Sequence, residues 1–109
     1  FIDSTIAYQH YGLGVNLKLI NFINNILLKN FSVNYTFLNI VNKKNMLERL
    51  KLRKSLNRYD KFNSNFYDKV QKGFLKIFNK NKKKYKIINS NLDINHNKDL
   101  IIGIIRKLI

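Results

Sequence analysis

The sequence predicts an α/β fold in which parallel strands are flanked by helices, and three observations predict it. Two short runs, Tyr35 to Val41 and Tyr85 to Asn89, are bounded by longer segments with helical periodicity. The first run is rich in Thr, Phe, Ile and Val and barely alternates, the pattern of a strand buried on both faces, which belongs to parallel sheets. A helical pattern follows that run at once, in the strand-then-helix order of an α/β unit. With 109 residues, 45% apolar and 13% aromatic, the chain has enough side-chain surface for one modest core and reads as one folded domain.

The elements follow in order. Residues 1 to 14 are polar and close on Tyr11-Gly12-Leu13-Gly14, where two glycines open backbone angles closed to other residues, so a loop is expected. From about 15 to 29, Leu19, Ile20, Ile23, Ile26, Leu27 and Leu28 recur mostly three or four residues apart. That spacing predicts an amphipathic helix with its apolar stripe toward the core. After the first strand, Asn42 can cap a helix from about 43 to 53 that turns Met46, Leu47 and Leu50 inward. Phe62, Phe66, Val70, Phe74, Ile77 and Phe78 mark the buried side of a helix from about 63 to 79. The cluster Asn81-Lys82-Lys83-Lys84 reads as a solvated connection whose cations suit the end of that helix. After the second strand comes a helix from Asp99 to Ile109, apolar enough to be expected over a large surface.

The formal net charge of +15, from 21 Lys and Arg against 6 Asp and Glu, taken alone points to a polyanion. Composition weakens that argument. Seventeen of the cations are Lys, and Asn and Ile are as abundant, while Pro is absent and Ala occurs once. Codons rich in A and T explain this bias without a nucleic-acid role. Cysteine is absent, and His10 and His96 are far apart with no partner at ligand spacing, so no metal site is expected. No run of 18 apolar residues exists, so no membrane-spanning helix is expected. Nothing at the start resembles a signal peptide, and an opening at Phe1 reads as a truncation point.

Five blocks carry a resemblance. The opening Asp3-Ser4-Thr5-Ile6-Ala7-Tyr8-Gln9-His10-Tyr11-Gly12-Leu13-Gly14 resembles the thymidylate kinase segment that usually ends Ala-Tyr-Gln-Gly-x-Gly-Arg-Gly. In the family's order follow Thr36-Phe37-Leu38-Asn39-Ile40, then Leu47-Glu48-Arg49-Leu50-Lys51-Leu52-Arg53 with Leu56-Asn57-Arg58-Tyr59-Asp60, then Phe66 to Phe74. The pattern closes with Ile87-Ile88-Asn89-Ser90.

The resemblance implies a partial P-loop nucleoside monophosphate kinase fold, the C-terminal half of one domain, with a dTMP-binding loop at 1–14 and a lid at about 53–60. It implies phosphoryl transfer from ATP to dTMP with Mg²⁺ bridging, chemistry that needs positioned donors and spread positive charge. Thr5, Tyr8 and Gln9 match the thymidine-binding segment; a phenol ring, a hydroxyl and an amide suit a base's face and edges. Arg53 and Arg58 match cations of the lid, where the planar guanidinium can grip two phosphoryl oxygens. Arg49 is expected to be a solvated helix-face cation. Tyr59 matches the junction near the nucleotide, and Asn89, Ser90, Asn91 and Leu92 match the loop that runs past the adenine. A cytoplasmic homodimer that binds dTMP and ATP, and neither nucleic acid nor membrane, completes what is implied.

The chain departs from the pattern at Leu13 for Arg, His10 for Gly, Asn34, Asn39 and Asn57 for Asp, and Asp60 for Glu. No G-x-x-x-x-G-K-[ST] occurs in these residues, so no phosphate cradle and no Mg²⁺ ligands are expected here. These residues alone are therefore expected to be inactive. The rival reading is a small basic RNA-binding or ribosomal-type protein, favoured by a pI near 10.2 and opposed by the absence of any RNA-binding motif.

Overall fold

Two parallel strands, β1 (Thr36–Ile40) and β2 (Tyr85–Asn89), pair from Thr36 opposite Tyr85 to Ile40 opposite Asn89. The structure is a computed structural model and describes residues 2–52 and 64–109. A parallel pair needs a long crossover, and here α3 (Lys43–Lys51) and α4 (Ser64–Lys80) lie between the strands in sequence. The α/β class and the parallel pairing agree with the expectation. The pleat places Leu38 with Ile87 on one face and Ile88 with Asn39 on the other. Leu38 and Ile88 are buried and Asn39 is exposed, so each face is covered in part, less than the apolar run predicted.

The first segment corrects the expected loop. Ile2–Thr5 (α1) is helical and runs without a break into a π-helix, Ile6–Gly12. Gly12 sits inside this helix for a packing reason: a Cβ there would lie 2.6 Å from Phe66 Cε2. Gly73 on α4 does the same in return, because its Cβ would meet Tyr11 Cβ at 2.7 Å. Each helix thus brings a ring onto the other's glycine, and the backbones approach more closely than any larger residue allows. Ala7, Phe66, Tyr67, Val70 and Ile77 form the buried cluster between them. Tyr85 adds a polar tie, its hydroxyl donating to Asp3 Oδ2 at 2.9 Å.

Helix α2 (Leu17–Leu27) starts at Asn16, whose side chain accepts from the N–H groups of Lys18 and Leu19. Its expected stripe mostly faces outward. Ile20 and Asn24 are buried, whereas Phe22, Ile23, Ile26 and Leu27 are exposed. The short first helix on which α2 rests is too narrow to cover a stripe of that width. On α3, capped by Asn42 as expected, Met46 and Leu50 are half-buried but Leu47 is exposed. A single 3₁₀ turn (Lys82–Lys84) joins α4 to β2, and all three lysines are exposed. Helix α5 (Ile94–Leu108) begins five residues before the expected Asp99, since Asp93 caps it by accepting from Asn95 N–H. It buries no residue fully, although Ile101 and Ile104 are half-covered.

Candidate functional site

Ligands of open parallel sheets bind beyond the carboxyl ends of the strands. Here that edge is formed by Asn39 to Val41 at the end of β1 and by Asn89 to Leu92 from the end of β2 onward, with α3 beside both. Two concavities open there. One, of about 260 Å³, is lined by Tyr8, Val41, Met46, Tyr67, Gln71 and Phe74, among others. The second, of about 750 Å³, is lined by Ile88, Ser90, Leu92, Ile94, Asn97 and Ile101, among others. Asn39 and Arg49 line both, so the two concavities meet at these side chains.

The first helix presents the three residues of the thymidine-matching segment. Thr5 and Gln9 are four residues apart and share a side of the helix, and both are half-buried. The Tyr8 ring is wedged between Phe66 and Phe74, at centroid distances of 5.8 and 6.4 Å, and its remaining surface faces the smaller concavity. Tyr8 therefore serves the core and the cavity wall together. The helix carrying it ends in a wide turn. Val15 N–H donates to Gln9 O at 2.8 Å and Gly14 N–H to His10 O at 2.9 Å, with Gly14 at φ 79° supplying the left-handed residue. His10 Nδ1 donates to Val15 O at 2.8 Å, so the histidine at the family's glycine position fastens this turn.

The loop after β2 brings Asn89, Ser90, Asn91 and Leu92 to the sheet edge, with Ser90 and Leu92 on the larger concavity. Arg49 corrects the expectation of an idle cation. It is exposed, yet its Nη2 donates to Ser90 O and its side chain walls both cavities. The available signal was its place on the helix that follows the first strand, where side chains reach the carboxyl edge. Gln71, not singled out from sequence, donates to Val41 O and holds the end of β1 on α4. The sequence-predicted Arg53, Arg58 and Tyr59 lie outside the described residues.

Fit to the implied groups divides. Leu92, Ile94, Ile101 and Ile102 give the larger concavity apolar walls for a flat base, with the Arg49 guanidinium at its edge. No group of three His, Cys, Asp or Glu able to hold a metal occurs among the described residues, so these residues do not fit Mg²⁺. No helix among them is long and apolar enough to cross a membrane.

Comparison with known proteins gives one consistent result. The family description "Thymidylate kinase" matches residues 1–101. A thymidylate kinase of Wolbachia pipientis subsp. Culex pipiens is 36% identical over 109 residues, covering 98% of this chain and 51% of that protein. The thymidylate kinase of Mycoplasma capricolum is 35% identical over 96 residues, covering 86% of this chain and 45% of its own. Among solved structures, thymidylate kinase from Ehrlichia chaffeensis superposes with a TM-score of 0.65 at 27% identity, over 97% of this chain and 47% of that one. The chain thus spans about half the length of the curated relatives it matches.

Proposed function

This chain belongs to the thymidylate kinase family, and from that premise we propose that it is the C-terminal half of an enzyme moving the γ-phosphate of ATP to the 5′-phosphate of dTMP, giving dTDP. The observation that carries the reading is the position of Tyr8. It lies on the helix matching the family's thymidine segment and lines a cavity at the carboxyl edge of the parallel strands. In this reading Thr5, Tyr8 and Gln9 hold the thymine base, and the loop Asn89 to Leu92 runs past the adenine. ATP would bring the transferable phosphoryl group, and Mg²⁺, for which the described residues offer no ligand set, would supply neutralising charge to its oxygens. Arg53 and Arg58 supply the cations that meet charge on the transferring group.

The exposed apolar side of α2, with Phe22, Ile23, Ile26 and Leu27, is the surface we assign to a second copy in a cytoplasmic homodimer. Lys82 to Lys84 remain a solvated connection with no nucleic-acid partner.

Coupled ADP-release kinetics on the complete enzyme test the proposal. Wild type turns over dTMP with ATP, while a polypeptide of residues 1–109 alone does not. Arg58→Ala lowers kcat by about two to three orders of magnitude with little change in KM for dTMP, the scale of losing one preorganised charge-stabilising donor. Turnover by residues 1–109 alone, or an Arg58→Ala enzyme as fast as wild type, contradicts the proposal.

A further inference from the structure

We infer that Asn91 is a positioning residue for the nucleotide, its side-chain amide clipping the loop after β2 to the first turn of α3. The inference rests on the proposed reading that this loop passes the adenine.

The clip is made at a helix start. Asn42, the N-cap of α3, uses its side-chain oxygen to accept from Asn45 N–H at 2.8 Å. Its own backbone N–H lies outside the helix and donates to Asn91 Oδ1 at 3.0 Å. Asn45 Nδ2 donates to the same oxygen at 2.9 Å. Because a backbone N–H can only donate, the oxygen of the Asn91 amide must face α3, which settles its orientation. A second link lies one residue away, where Arg49 donates to Ser90 O. Helix α3 therefore grips the loop at both Ser90 and Asn91, from residues spread over its length.

The remaining loop groups explain why this grip matters. Ser90 N–H donates to Ile40 O at 2.8 Å, Asn91 N–H to Asn89 Oδ1 at 3.0 Å and Leu92 N–H to Asn89 O at 3.1 Å. Three successive N–H groups are thus engaged within the protein. Asn89 O and Ser90 O also accept within the protein, so the loop backbone can offer a base chiefly the carbonyl oxygens of Asn91 and Leu92, acceptors that suit an exocyclic amine such as adenine's. Where those carbonyls lie depends on the loop's seat against α3. Without Asn91 Oδ1, the Asn42 N–H and the Asn45 amide lose their acceptor, and the loop is free to shift by the fraction of an ångström that weakens such contacts.

The test uses the complete enzyme, with KM for ATP and kcat from kinetics, dTMP affinity from calorimetry and thermal midpoint from scanning calorimetry. Asn91→Ala raises KM for ATP about tenfold, as expected for two lost hydrogen bonds, and leaves kcat and dTMP affinity within about twofold. Asn91→Asp keeps an acceptor oxygen toward α3 and restores KM to within about threefold of wild type. Asn45→Ala, which leaves Asn91 in place, gives an intermediate effect even should Asn91→Ala fail to fold, and the double variant is no worse than Asn91→Ala. If Asn91→Asp is as impaired as Asn91→Ala while Asn45→Ala is silent, the Asn91 NH₂ touches the nucleotide itself and the clip is overturned. Equal loss of ATP and dTMP affinity with a lowered midpoint also overturns it, as a purely structural effect. A wild type that binds no ATP removes the proposed reading and the clip with it, whereas ATP binding unchanged in Asn91→Ala removes the clip alone.

Discussion

The helix proposed to hold dTMP and the loop proposed to pass the adenine of ATP are held by different physics. The helix bearing Thr5, Tyr8 and Gln9 is fixed by shape: Gly12 beneath Phe66, Gly73 beneath Tyr11, and Ala7 fully buried between them. The loop Asn89 to Leu92 is fixed by direction, through hydrogen bonds from α3 and from Asn97 Nδ2, which donates to Asn89 O at 2.9 Å. Close packing tolerates no added atom, so damage on the first side registers as lost stability. Exposed hydrogen bonds contribute little to folding, so damage on the second registers as lost affinity. The two sites are thereby separable by mutation.

Gly73→Ala gives the largest expected effect on that comparison. Its new Cβ would meet a Cβ, which cannot swing aside, and the two helices must part. The expected loss is about 1–3 kcal/mol of stability, together with weaker dTMP binding because Tyr8 moves with its helix. Chemical denaturation of the complete enzyme measures the first and calorimetry the second. A Gly73→Ala protein as stable as wild type breaks the claim that shape holds this side.

Arg49→Ala probes the other side and is expected to be smaller. It removes a hydrogen bond to Ser90 O from a charged donor, so KM for ATP rises about fivefold to tenfold while the denaturation midpoint hardly moves. Equal changes in dTMP and ATP affinity would erase the distinction between the two sides.

How much of this was legible in the sequence differs by region for the same reasons. The strands, the Asn42 cap and the α4 stripe lie where strand-favouring composition, cap chemistry and 3.6-residue spacing predict them. The first helix is hidden in the sequence because Gly12 and Gly14 signal a turn and a π-helix does not repeat every 3.6 residues. Gly14 does make the turn, but Gly12 serves close packing, a distinction that needs Phe66 in place to be seen. The start of α5 was hidden by Asn95, His96 and Asn97, poor helix formers held by the Asp93 cap. Arg49 looked idle because its partner, a backbone carbonyl 41 residues away, leaves no mark in sequence.

The smallest expected effect concerns the tie between the first helix and β2. Partial burial, then the hydrogen bond to Asp3 and the carboxylate's charge, push the Tyr85 hydroxyl up from about 10 to about 12. The neutral phenol is the form the fold favours. Its contribution is therefore complete below pH 10 and is lost as pH rises through about 12. Absorbance titration at 295 nm should find one tyrosine ionising late, and Tyr85→Phe should remove that late step. A late step that survives in Tyr85→Phe would refute the assignment.

Calorimetric titration of dTMP into the complete enzyme and its Gln9→Ala variant decides whether the first helix holds thymidine. Wild type is expected to bind dTMP and Gln9→Ala to bind it more weakly by about 1–3 kcal/mol, since a buried polar edge of the base loses its partner, while ATP binding barely changes. Failure of the wild type to bind dTMP, with salt-sensitive RNA binding that depends on Lys82, Lys83 and Lys84 in its place, would contradict that role.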